Sequence, residues 1–120
     1  MHSANMMITE VQGVTVAALR VASILDGPMI EGLKRQLVEL VEEQNRQKLV
    51  VDFHGVSFLA SQMLGVLVSL HKKCEEIDGH LVLIGMKPSL MKVFKIMKLH
   101  KVLHFAKDES AAVSMMEKLG

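Results

Sequence analysis

Apolar residues alternate or cluster in two short runs near the start of the chain, Met7 to Val11 and Val14 to Leu19, with Gln12-Gly13 between them. Such runs suit strands, and a two-residue link containing glycine suits a tight hairpin. Beyond Asp26-Gly27, Pro28 stands where a first helical residue belongs. Ile30, Leu33, Leu37, Leu40 and Val41 then recur at intervals of three and four, while Glu31, Lys34, Arg35, Glu39, Glu42 and Glu43 fill the opposite face. Leu49-Val50-Val51-Asp52-Phe53 is β-branched and nearly continuous in apolar character, which predicts a central strand covered on both sides.

The alternation of element types continues to the end. From Ser61, the residues Leu64, Leu67, Val68, His71, Cys74 and Ile77 recur with helical period, and Asp78-Gly79 ends the pattern. Leu81 to Ile84 repeats the buried-strand signature. Pro88 then opens a third, short helix predicted to carry Leu90, Met91, Phe94 and Met97 inward. Val102 to Phe105 reads as a last short strand. Asp108 to Ser110 precede Ala111, Ala112, Val113, Met116 and Leu119 as the start of a closing helix. Strands separated by helices must run the same way. The order predicts an α/β fold over residues 1–120 as one domain: a mostly parallel sheet of four to five strands with an N-terminal hairpin strand, and about four helices packed on it.

Composition narrows the function classes. Fourteen Lys and Arg against thirteen Asp and Glu give a formal charge of +1, so no broad field draws in nucleic acid or an acidic membrane. The four aromatic residues, all Phe, leave little to stack bases. Cys74 is the single cysteine, so no internal disulfide forms, and the N-terminal residues have neither the basic nor the apolar region of a signal peptide. A cytoplasmic setting is expected. No apolar run reaches the length of a spanning helix, so direct insertion into a bilayer is not expected.

Candidate chemistry concentrates at Ser61, between a buried strand and the first turn of the second helix, where free backbone N–H groups favour negative charge. Its hydroxyl could accept a phosphate, or it could serve only as the helix N-cap. Asp52, at the end of the central strand, is expected to accept hydrogen bonds from the loop carrying Ser57 to Ser61. No enzyme signature emerges. Cys74 sits in Lys-Lys-Cys-Glu-Glu with no His placed beside it by a known pattern, and reads as a packed helix residue. His100 and His104 have a four-residue spacing, but Lys101 stands where a zinc hydrolase carries Glu, and the pair crosses a helix-to-strand junction, so no metal is expected. The glycines never gather into a phosphate loop, and no cofactor is expected. Lys72, Lys73, Lys87, Lys92, Lys95, Lys98 and Lys101 read as a solvated face or as a surface for an acidic partner.

The stretch Val50-Val51-Asp52-Phe53-His54-Gly55-Val56-Ser57-Phe58-Leu59-Ala60-Ser61-Gln62-Met63-Leu64-Gly65-Val66-Leu67 resembles the central segment of the STAS family, which includes the anti-sigma factor antagonists. There, a strand ending in Asp leads through a short turn into Asp-Ser-Ser/Thr-Gly-Leu-Gly, whose first Ser is phosphorylated, and Ser61 falls on that Ser. Asp78 to Leu83 looks like the family's glycine-led strand, and Pro88 to Leu99 its proline-started helix. The sequence departs from this pattern where Ala60 replaces the Asp before the serine, Met63 the Gly after it, and Lys98 a turn Gly.

The resemblance implies a regulator that is not an enzyme. It would bind a serine kinase of the anti-sigma type, be reset by a phosphatase, and be switched by phosphorylation of Ser61. It implies a partner surface of Ser57, Phe58, Leu59, Ala60, Ser61, Gln62 and Met63, with Met86 nearby and Asp52 as support, and it leaves room for a homodimer. Met91, near the same site, reads as core filler. A second reading keeps the fold and makes the chain a constitutive subunit of a larger assembly, a stress-sensing particle or a lipid-transport complex, with Ser61 unmodified.

Overall fold

The computed structural model describes residues 5–120. Strand β1 (Met6–Val11) turns back into β2 (Val14–Leu19), with Gln12 and Gly13 both at positive φ, as a two-residue hairpin turn requires. There follow β3 (Ser23–Ile24), α1 (Gly27–Glu42), β4 (Lys48–Asp52), β5 (Phe58–Leu59), α2 (Ser61–Glu76), β6 (His80–Ile84), α3 (Pro88–Ile96), a 3-10 turn (Leu99–Lys101), β7 (His104–Ala106) and α4 (Glu109–Leu119). The main sheet has the order β1-β2-β4-β6-β7, with β1 antiparallel to β2 and every other pair parallel. The α/β fold with an N-terminal hairpin strand and four helices is the one the hydrophobic pattern predicts.

The layering follows from chain handedness. From β2 to β4, β6 and β7 the strands add in one direction, so right-handed crossovers place α1, α2 and α3 on the same face. The larger core lies there: Leu33, Leu37, Leu40, Leu64, Leu67, Leu70, Leu90 and Phe94 meet Ala17, Leu19, Leu49, Val51, Leu81 and Leu83 of the strands. The alternate strand residues Val14, Val16, Val50, Val82 and Ile84 face the other way and are covered by Ala112 and Met116 of α4. Burial on both faces explains why β4 and β6 read as continuous apolar runs.

Several details differ from the sequence reading. Met97, predicted inward, is exposed, because α3 ends at Ile96 and the chain turns away. β7 begins at His104, since Val102 and Leu103 complete the 3-10 turn through bonds to the Leu99 carbonyl. The two-residue strands β3 and β5, which pair in parallel as Ser23 with Phe58 and Ile24 with Leu59, were not anticipated. A pairing that short has no periodicity to detect.

Candidate functional site

The site is built on the segment from the end of β4 to the start of α2. Phe53 and Val56 are fully buried and anchor the loop from beneath, and the Val56 N–H donates to the Phe53 carbonyl at 2.9 Å. On one side, the N–H groups of Ser57 and Phe58 both donate to the Ala22 carbonyl, and that of Ala60 to the Ile24 carbonyl. On another, Lys87 Nζ reaches in from the start of α3 and donates to the carbonyls of His54 (3.3 Å) and Val56 (3.1 Å) and to Ser57 Oγ (3.2 Å). Asp52 Oδ1 accepts from the His54 N–H at 2.9 Å. Gly85 allows this approach: it has φ +71°, and a Cβ there would stand 2.6 Å from Asp52 Oδ1.

Asp52 therefore supports only the first turn of the loop. Its oxygen accepts from His54 at the start of the loop that carries Ser57 to Ser61, and Lys87 holds the later part, at Val56 and Ser57. Lysine in this role was missed: in the sequence it looks like one more solvated charge, and only the fold brings residue 87 against residues 54 to 57.

Ser61 is the first residue of α2 and is exposed. Ala60 holds the N-cap position with extended backbone (φ −72°, ψ 149°), so the N-cap role considered for Ser61 is corrected. α2 has no side-chain cap and no acidic residue in its first turn, whereas α1 is capped by Asp26 and α4 by Asp108. The positive end of α2 is thus left open to an added anion.

Most of the sequence-predicted residues are at least partly exposed. Phe58 is 60% exposed, Ser61 and Gln62 are exposed, and Ser57, Leu59, Ala60 and Met86 are half-buried. Met63 is the exception. Its side chain is fully buried in the core beneath α2, so its place on a partner-facing surface is corrected. Leu25, 59% exposed, follows β3, whose Ile24 pairs with Leu59, and is a large exposed apolar side chain that the sequence reading did not single out. Its sequence signal was weak: a large apolar residue immediately before the capping Asp26.

The other candidates lie elsewhere. Cys74 is buried, and desolvation, with the nearby Glu75 carboxylate second, pushes its thiol up to about 12, which suits packing and not nucleophilic attack. His100 lies in the 3-10 turn and His104 on β7. Among the described residues no group of three His, Cys, Asp or Glu could hold a metal ion. His104 instead meets His71 of α2 edge-on, with ring centroids 6.0 Å apart, and burial, followed by the charges of His71 and His80, holds it below the usual histidine range.

Comparison with known proteins adds the family. The model of the STAS domain matches residues 5–112. BtrV of Bordetella bronchiseptica, named as a candidate anti-sigma factor antagonist, is 24% identical over 110 residues, spanning 92% of each chain. Among solved structures, the anti-sigma-factor antagonist (STAS) domain protein of Planctomyces limnophilus superposes with a TM-score of 0.81 at 19% identity, covering 93% of this chain and 97% of that one. The Bacillus cell fate determinant SpoIIAA in its phosphorylated form gives 0.69 at 19% identity, covering 92% and 98%.

Proposed function

Because the chain belongs to the STAS domain family, we propose that it is a regulator of the anti-sigma factor antagonist type. It binds a serine kinase of the anti-sigma class through the surface around the start of α2 and performs no catalysis itself. Phosphorylation of Ser61 switches the binding off, and a phosphatase restores it. The observation that supports this reading is the exposed Ser61 at the uncapped N-terminus of α2, three residues after the exposed Phe58.

The chemistry is electrostatic. A phosphate adds about −1.5 to −2 charges at pH 7. The unfilled N–H groups and positive end of α2 accommodate that charge within the protein. A partner surface fitted to a neutral hydroxyl and an apolar ring meets the same charge as an obstacle. Two of the departures from the family pattern are compatible with this. Met63 is buried and invisible to a partner, and Ala60 leaves the helix N–H groups unoccupied where a capping Asp would engage them.

Titration calorimetry with the anti-sigma serine kinase of the same organism tests the proposal. Unmodified protein and Ser61→Ala bind comparably, and Ser61→Glu binds at least tenfold more weakly. Equal affinity for all three overturns the switch.

A further inference from the structure

Between Asp78 and Asp108 the chain contains no acidic residue. Residues 79–107 hold six lysines, at 87, 92, 95, 98, 101 and 107, and no Arg, Asp or Glu. A chain of formal charge +1 thus consists of a segment of +6 and a remainder of −5. The small net charge conceals a strong separation, so the absence of a broad field does not extend to this part of the surface. Lys87 is occupied with the loop before Ser61. Lys92, Lys95, Lys98 and Lys101 are exposed, and the ion pairs among the described residues, Arg46 with Glu10, His71 with Glu75 and Lys73 with Glu42, include none of them.

Large apolar side chains are exposed in the same stretch: Val93 at 40%, Ile96 at 69%, Met97 at 57% and Val102 at 45%. Val93, Ile96 and Met97 are spaced by three and four, so they share one side of α3 and its C-terminus, and Val102 lies in the turn that follows. The result is an apolar knob within a group of lysines.

We propose that this end of α3 and the following 3-10 turn seat on the surface of an anionic lipid bilayer. The aliphatic tips enter the boundary between headgroups and acyl chains, and the lysine stems extend so that their ammonium groups meet lipid phosphates. The side-chain types favour lipid over the alternatives. Protein interfaces are anchored by Trp, Tyr and Arg and are depleted in Lys, and the knob has four exposed lysines and none of those anchors. A symmetric second copy would set like charges against each other.

Topology gives the seating a consequence. α3 begins at the C-terminal ends of the parallel strands, where Lys87 meets the loop before Ser61, and runs about 13 Å back toward their N-terminal ends. A protein seated by its α3 C-terminus keeps Ser61 turned away from the bilayer.

Co-sedimentation with vesicles tests this, using phosphatidylcholine alone and phosphatidylcholine with about one-third phosphatidylglycerol. The wild-type chain binds only the anionic vesicles, and binding weakens as salt is raised. Lys95→Gln with Lys98→Gln lowers the affinity about 25-fold, roughly fivefold for each lysine. Arg35→Gln, an exposed charge on α1, leaves it unchanged. Ile96→Asp abolishes binding while its melting curve matches the wild type, as the side chain is already in water. Absence of binding to anionic vesicles overturns the proposal, as does binding that survives Ile96→Asp or falls equally with Arg35→Gln. If vesicles are ignored but soluble polyglutamate is retained in a salt-sensitive way, the surface belongs to an acidic protein and the proposal fails.

Discussion

Lys87 Nζ lies 3.2 Å from Ser57 Oγ, so a residue at the start of α3 fixes the loop that delivers Ser61. The same ammonium group holds the carbonyls of His54 and Val56, three acceptors from one short segment. None of them is a carboxylate, so the lysine acts here as a hydrogen-bonding clamp. Lys87→Met keeps the stem and removes the donors. It is expected to cost about 2 kcal/mol in urea unfolding and to speed hydrogen exchange at the amides of residues 54 to 58. Unchanged exchange there shows that the loop is held by its packing alone.

Ala60 sits in N-cap geometry without a side chain able to cap. Ala60→Asp supplies an acceptor for the first-turn N–H groups and is expected to stabilise the fold by about 1 kcal/mol, read as a higher urea midpoint with an unchanged slope. Because the new carboxylate competes for the groups that would receive a phosphate, Ser61→Glu stabilises the wild type more than it stabilises Ala60→Asp. Additive effects contradict the shared use of those N–H groups.

Lys98 adopts the left-handed conformation, with φ +60° and ψ 22°, between α3 and the 3-10 turn. A side chain with Cβ is strained there by about 1–2 kcal/mol, a cost that glycine avoids, partly offset by glycine's greater freedom when unfolded. Lys98→Gly therefore raises stability by about 1 kcal/mol, and Lys98→Val lowers it.

Cys74 carries a pH dependence of known sign. Its folded pKa, about 12, exceeds the ordinary value of 9.0, so above pH 9 the unfolded thiol ionises while the folded one keeps its proton. The contribution to stability is complete below pH 9 and declines as pH rises toward 12, by up to about 1.4 kcal/mol per pH unit. The difference between wild type and Cys74→Ala, measured by denaturant unfolding at successive pH values, isolates it. The same burial makes the thiol inert to alkylating reagents until the chain unfolds.

The fold was legible because its signals are periodic. β4 and β6 are continuous apolar runs, and α1 and α2 carry apolar residues every three to four positions, so each element announces both its type and its buried side. The position of Ser61 at the start of α2 was legible for another reason: the change from strand to helix marks it, and the surrounding residues resemble a known segment. What could not be read depends on contacts between distant positions. Lys87 against residues 54 to 57, β3 against β5, and the edge-on meeting of His71 and His104 have no local pattern. Met63 shows the limit within a motif, since matching the family's position did not reveal that its side chain turns into the core. Met97 shows the limit of periodicity at a helix end, where the chain leaves the spiral that the spacing assumes.

The most direct measurement of the Ser61 switch is intact-mass spectrometry of the protein from its native cells, with fragment mapping and a Ser61→Ala strain grown in parallel. A single phosphate on Ser61 that rises and falls with growth or stress, and is absent from the Ser61→Ala strain, is the expected result. Ser61 unmodified under every condition, in a protein that purifies as a fixed-stoichiometry part of a larger assembly, contradicts the switch and makes the chain a constitutive subunit.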